Sequence, residues 1–315
     1  MADGSDGLRQ IGPGQLARRL NLDPAVVIES LRGAPFPRLG YLEIDSENQL
    51  RLEAEAAAAL DEMAKIPPAD QRVENWEQRW GQIFAQAQSR GVTLESLCPK
   101  YFGGNILRLD GRYINSFDGN FEFNLHISIL RALFQHYLPP FGRVVDLGCG
   151  SGTSLFLLSQ MFPRQTLVGA DWSPVCRNIL SEIARQTGAD IGGAEIDLRG
   201  DLGGLAGSVD ADTAVISIHA FEQLGGEFAA ALDFLLDRKP ALVLQVEPLY
   251  ELYDRDSNMD RLAMRYHDQV EYLKGYLPKL EALAAGGKIE LDVRRRLFFG
   301  GLWHEAYGLL VWRPL

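Results

Sequence analysis

A chain of 315 residues, 46% hydrophobic and 23% charged, has the balance of a soluble globular protein and length enough for one large domain or two ordinary ones. Its net charge of -11 argues against a broad phosphate-tracking surface, so nucleic acid is not expected as a partner unless a local basic patch exists. Cys98, Cys149 and Cys176, odd in number and without metal-ligand spacing, fit a reduced cytoplasmic compartment, and no signal-peptide pattern or membrane-spanning apolar run is present.

Residues 1–70 read as a separate unit. Gly14 to Leu20 is helical, and Asn21 to Pro24 is a turn. A second helix then runs to Leu31, with Asp23 suited to the N-cap and Pro24 to the first helical position. Gly40 to Asp45 and Gln49 to Leu52 alternate around the polar turn Ser46-Glu47-Asn48, the pattern of a hairpin. Two short helices followed by a hairpin resemble a winged helix. The second helix carries only Glu29 as a charge, and a recognition helix without arginine or lysine reads base edges poorly. Protein contact is the favoured role.

Residues 71–135 read as a mainly helical connector. Asn75 begins an amphipathic helix that runs to about Ser89, with Gly91 ending it. A loop rich in glycine and aromatics follows, including Tyr101-Phe102-Gly103-Gly104 and Arg112-Tyr113-Ile114. A helix from Asn124 to Leu138 then leads into the first strand of the next unit.

From residue 136 strands and helices alternate, which predicts a mostly parallel sheet. Val144 to Thr153 runs apolar residues into Gly148, Gly150 and Gly152 behind Asp146: a buried strand, a tight turn and a helix start. Glycine there allows positive φ and leaves room for a ligand against the main chain. A phosphate-binding loop would carry a lysine after its glycines, and a dinucleotide fingerprint would place glycine where Thr153 stands. Thr166 to Asp171 is a second strand ending in a carboxylate, followed by a helix from Val175 to Gln186. Ile196-Asp197-Leu198 is a third strand end, Thr213 to Ile218 a fourth strand, Gly226 to Arg238 a helix and Ala241 to Val246 a fifth strand. A helical insertion occupies about 255–285, and Lys288 to Phe299 with Ala306 to Trp312 form a closing hairpin.

The G-x-G-x-G spacing behind Asp146, with acids at the next two strand ends, resembles the opening motifs of class I S-adenosylmethionine-dependent methyltransferases. The resemblance covers residues 136–315. It implies an α/β fold, a Rossmann-like seven-stranded sheet with a smaller N-terminal winged-helix-like or helical domain, and S-adenosyl-L-methionine as cofactor. By that resemblance Asp146, Gly148, Gly150 and Gly152 form the cofactor loop. Asp171, beside Trp172, meets the ribose hydroxyls; Asp197 and Leu198 meet the adenine; Ile218 closes the pocket at the fourth strand. Segments upstream of the loop form a lid in this family, which would bring Arg112 or Tyr113 to the methionine carboxylate or sulfonium. Core packing of the same aromatics is the alternative. An N-terminal unit of this kind serves dimerisation or substrate recognition, so a homodimer is expected.

Methyl transfer needs an aligned acceptor and, for a hydroxyl or amide, a base. His219, at the fourth strand end, stands where the family places residues beside the transferring methyl. Glu247 emerges from an apolar strand with Tyr250 and Tyr253 after it, a possible acceptor wall; a salt bridge to Arg261 or Arg265 is the bland alternative. His267 in the insertion and His304 in the closing turn complete the catalytic candidates. Convergence of the three histidines on a metal lacks diagnostic spacing, so no metal is assigned.

The expected activity is methyl transfer to an O or N acceptor on a small molecule, natural product or peptide. A weaker likeness is to bacterial enzymes that tailor natural products or ribosomally made peptides. A non-catalytic winged-helix regulator with a ligand-sensing domain is the alternative, and aminopropyl transfer from the decarboxylated cofactor a third.

Overall fold

A computed structural model describes residues 7–32, 37–63 and 69–315, with side chains described outside 69–74. The N-terminal half contains β1 (Leu8–Gln10), α1 (Pro13–Leu20), α2 (Pro24–Ser30), β2 (Gly40–Glu43), α3 (Ser46–Glu62), α4 (Ala69–Arg90), β3 (Ile106–Leu109), β4 (Arg112–Ser116) and α5 (Phe121–Tyr137). The expected N-terminal hairpin does not form, and with it the winged helix is lost. Gln49 to Leu52 lies inside α3, because Asp45 accepts a hydrogen bond from the Asn48 N–H at 2.9 Å and so caps a helix there. The alanines 56–59 then continue it.

The helical connector is also corrected. Asp110 and Gly111 take φ of 54° and 74°, and this turn folds β3 and β4 into an antiparallel hairpin. Two successive left-handed residues with Asp-Gly are the signature of a tight hairpin. The hairpin joins β1, β2 and β11 (Phe299–Gly300) in a five-stranded sheet of order β1-β2-β4-β3-β11. Strands from all three expected segments therefore share one sheet, so residues 1–70 and 71–135 are not separate bodies.

The remainder is the α/β unit. Its elements are β5 (Arg143–Leu147), α6 (Thr153–Met161), β6 (Thr166–Asp171), α7 (Pro174–Thr187), β7 (Ile191–Glu195), β8 (Thr213–Ile218), α8 (Ala229–Arg238), β9 (Leu242–Glu247), α9 (Asn258–Val270), α10 (Tyr276–Ala285), β10 (Ile289–Arg296) and β12 (Gly308–Pro314). They form a seven-stranded sheet of order β10-β12-β9-β8-β5-β6-β7. Strands β5 to β9 run parallel, while β12 is antiparallel to both of its neighbours, the expected closing hairpin. The chain order reverses between β5 and β8, the switch point where such sheets open a crevice beyond the strand C-termini.

Alternation along the strands feeds two cores. Val144, Ile216 and Leu244 pack with α5, α6 and α7 on one face; Val145, Val215 and Val243 pack with α8 and α10 on the other. No helix among the described residues is long and apolar enough to cross a membrane.

Candidate active site

The crevice at the switch point is a cavity of about 760 Å³ lying over the ends of β5, β6 and β8, and it reaches α4, α5 and the segment before β12. At one end its floor is backbone. The N–H groups of Gly148 and Cys149 both donate to Ala170 O, which ties the turn to β6. Gly148 has φ 79°, and a Cβ there would stand 2.2 Å from the Ala220 Cβ. Gly150, at φ 47°, would put a Cβ 3.0 Å from the Trp80 ring. Only glycine meets both the dihedral and the space at these two positions. Gly152 lies off the cavity wall and starts α6, where a Cβ would strike Ile183.

Carboxylates surround this floor. Asp171 accepts from the Gly150 N–H at 2.9 Å and the Ser173 N–H at 3.0 Å, and burial raises its pKa against the pull of those donors. Asp197 accepts from Arg199, whose donors outweigh burial and hold its pKa down. Arg199 also stacks 5.3 Å over Trp172. Asp146 differs from both. Its Oδ1 is buried without a hydrogen-bond partner, and burial together with the charges of Asp171 and Glu247 pushes its pKa up to about 8. Leu198 and Ile218 complete the apolar wall.

Helix α4 covers this end. Trp80 rests against Gly150, Trp76 stacks on Trp80 at 5.2 Å, and Glu77 accepts from the Ser173 hydroxyl beside Asp171. The two tryptophans and Arg199 went unrecognised in the sequence, although Trp76 and Trp80 sit one helical turn apart on an amphipathic helix, which is a readable face. Arg112 and Tyr113, expected over the cofactor, are elsewhere. Arg112 is exposed in β4, and Tyr113 is fully buried with its hydroxyl donating to Leu302 O at 3.0 Å. Strand alternation sends Tyr113 into the core beneath α3 and α9, away from the crevice.

The other end is aromatic. One wall holds Phe102, Phe123, His126, His219 and Tyr307; Phe102 lies 5.3 Å from both Phe123 and His126, and Tyr307 lies 4.8 Å from His219. The facing wall holds Tyr266, Tyr272, Trp303 and His304, with Tyr266 stacked on Trp303 at 5.6 Å.

His219 ends β8 at φ 56°, an unusual conformation for a non-glycine residue. Its Nδ1 faces Glu222 Oε2 at 3.4 Å. Burial favours the neutral ring, but the carboxylates of Glu222, Glu247 and Glu122 prevail and raise its pKa. Glu247 holds that turn from beneath. It is fully buried and accepts from Ser217 Oγ at 2.7 Å and from the N–H groups of Ala220, Phe221 and Glu222 at 3.1 Å each. It does not line the cavity, and its donors are backbone and serine, not Arg261 or Arg265. Arg265 pairs with Asp61, and Arg261 with Asn258. Glu247 is thus corrected from a reacting group to a positioning one.

Tyr250 and Tyr253 do not form an acceptor wall. Tyr250 lies outside the crevice with Lys274 over its ring, and the buried Tyr253 hydroxyl donates to Glu305 O at 2.9 Å. His267 is fully buried behind His304: its Nε2 meets His304 Nδ1 at 3.1 Å, and burial drives its pKa down to about 3. Burial likewise keeps His304 neutral, with Nε2 as the ring nitrogen not engaged by His267. His267 and His304 meet while His219 stands on the facing wall, and among the described residues no cluster of His, Cys, Asp or Glu is placed to hold a metal.

No family model matches the chain, and neither does any curated protein. Among solved structures it is similar to the pyocyanin biosynthetic protein PhzM, at 15% identity over 62% of this chain and 59% of that one, with a TM-score of 0.42. The chain thus spans less than two thirds of PhzM's length. It is also similar to a ribosomal protein L11 methylase from Lactobacillus delbrueckii subsp. bulgaricus, at 17% identity over 61% and 80% of the two chains and a TM-score of 0.40. A geranyl diphosphate methyltransferase with bound GPP and sinefungin is 13% identical over 63% and 84%, with a TM-score of 0.42. Likenesses of this size have no bearing on chemistry, which rests on the residues of the cavity.

Proposed function

We propose that the chain is an S-adenosylmethionine-dependent methyltransferase that modifies an O or N acceptor on a small molecule. The observation that carries this reading is Asp146 Oδ1, a buried carboxylate oxygen without a partner beside a glycine floor that any side chain would fill. A ligand that offers a cationic ammonium to Asp146, hydroxyls to Asp171 and a flat base to Trp172, Asp197 and Leu198 satisfies every group at that end. The resemblance at residues 136–315 names such a molecule. S-adenosyl-L-methionine brings a methyl group already activated by its sulfonium.

The protein's own share is alignment, exclusion of water and handling of the acceptor's proton. Helix α4 seals the glycine end through Trp80. His304, kept neutral by burial, offers Nε2 as an acceptor in the tautomer whose Nδ1–H donates to His267 Nε2. His219, inclined towards the charged form by Glu222, is better suited to donate a hydrogen bond than to take a proton. Glu247 and His267 act through those two rings.

Calorimetry with S-adenosylhomocysteine tests the assignment, with NAD as the competitor the same fold can accommodate. Micromolar binding of the first and none of the second is expected. Equal binding, or no heat up to about 1 mM, would remove the reading. His304→Ala should then retain that binding and lose transfer of labelled methyl to the acceptor.

A further inference from the structure

The aromatic end of the cavity has a charge imbalance that its neighbours do not correct. Glu122, in the first turn of α5, lines the cavity, and among the described residues its carboxylate makes no hydrogen bond or ion pair. His219 is the charged group that acts on it, and His219 is already claimed by Glu222 at 3.4 Å. Beside them His126 is 6% exposed, lines the same wall and has Nδ1 buried without a partner. Among the described residues the arginines on the cavity wall are Arg199, committed to Asp197 and Trp172, and Arg79, which stacks 5.0 Å over Trp76. No lysine lines it.

An unpaired carboxylate among ring faces is unfavourable when dry and favourable once a cation sits against it. The same carboxylate repels a carboxylate or phosphate placed beside it. We infer that the acceptor is an arylalkylamine, held with its ring between the walls formed by Phe102, Phe123, Tyr307 and Tyr266 and anchored by its ammonium nitrogen on Glu122, with His126 Nδ1 as second contact. The inference rests on the methyltransferase reading for the meaning of "acceptor", and it selects among acceptors by charge. Burial pushes the Glu122 carboxyl up to about 7 in the absence of such a ligand, so the partner cation would also complete its ionisation.

Tryptamine and indole-3-acetate share a ring and carry opposite charges, so they isolate the claim. Each is titrated calorimetrically into the full chain saturated with S-adenosylhomocysteine, and again without it. Saturable tryptamine binding at least tenfold tighter than indole-3-acetate is expected, with Glu122→Gln reducing that preference below threefold and leaving S-adenosylhomocysteine binding unchanged. Equal or tighter binding of indole-3-acetate overturns the inference, as does binding of neither, or a preference that persists in Glu122→Gln. Should that variant not fold, the wild-type preference between the two probes decides alone. Tryptamine binding without any S-adenosylhomocysteine binding would sink the methyltransferase reading yet leave the amine site standing.

Discussion

The two ends of the cavity recognise by different means. At the glycine end the main chain does most of the work: a turn held to β6 through Ala170 O, two positions where a Cβ cannot stand, and a carboxylate that braces the Gly150 N–H. At the aromatic end side chains from α5, the end of β8, α9 and the stretch before β12 converge. Backbone recognition is rigid and tolerates almost no substitution, because both dihedral and space are fixed. Side-chain recognition can be retuned one residue at a time. The glycine end should therefore lose binding outright when altered, and the aromatic end should change preference.

The hardest break falls beneath the divide rather than on either side. Glu247→Ala leaves three N–H groups, two of them buried, and the Ser217 hydroxyl without their acceptor, at a cost on the order of 3 kcal/mol or more. Urea denaturation would read this as a lowered midpoint with the slope unchanged. A variant of wild-type stability that had lost turnover would return Glu247 to the chemistry. Next, Asp171→Ala should weaken S-adenosylhomocysteine about 100-fold, close to 2.7 kcal/mol, since it removes the proposed ribose contact and frees the Gly150 N–H. Wild-type affinity by calorimetry would mean that the glycine end recognises something without hydroxyls.

Sequence pattern anticipated one end far better than the other, and the cause is the range of the contacts. The strand–glycine–helix junction is local: Asp146, Gly148, Gly150, Asp171, Trp172, Asp197, Leu198 and Ile218 all line the cavity because each lies at or just beyond the C-terminal end of a strand. The aromatic end is assembled by tertiary packing across almost the whole chain. In the sequence His126 is an ordinary residue of the helix from Asn124 to Leu138 and Glu122 stands just before it, and nothing in their spacing marks a site. His267 and His304 were both readable as chemical residues, but only packing decides which ring faces the cavity. The hairpin of β3 and β4 was legible after all, since Asp110-Gly111 sits between alternating runs. The misread hairpin nearer the N-terminus had equal alternation, and the Asp45 cap overrode it.

A smaller effect separates the ends by pH. Without ligand Asp146 holds its proton up to about pH 8, so a bound ammonium must displace it. The affinity for S-adenosylhomocysteine should then rise as pH increases from 6 to 7.5, by up to about tenfold per unit, with proton release visible as a dependence of the calorimetric heat on buffer. Asp146→Asn should flatten the slope. The sign for stability is opposite: the folded chain binds this proton more tightly than the unfolded one, so Asp146 costs stability progressively from the ordinary carboxylate range up to about pH 8. Affinity independent of pH would mean that the ligand's cation does not meet Asp146.

The smallest effect tests whether the N-terminal sheet takes any part in the glycine end. The Tyr113 hydroxyl donates to Leu302 O, and the same carbonyl also accepts from Arg108 Nε at 3.1 Å. Tyr113→Phe therefore removes one donor without leaving the acceptor unsatisfied, and it keeps the ring that packs beneath α3 and α9. The expected loss is about 1 kcal/mol of stability. Binding of S-adenosylhomocysteine should not move, nor should it in Arg112→Ala, whose guanidinium faces solvent from β4. Because Leu302 and Trp303 lie on the aromatic wall, a slackened Leu302 segment would appear instead as a weaker hold on an aromatic ligand. A tenfold fall in S-adenosylhomocysteine affinity in either variant would carry β4 to the cofactor, and the division between a backbone end and a side-chain end would no longer describe the cavity.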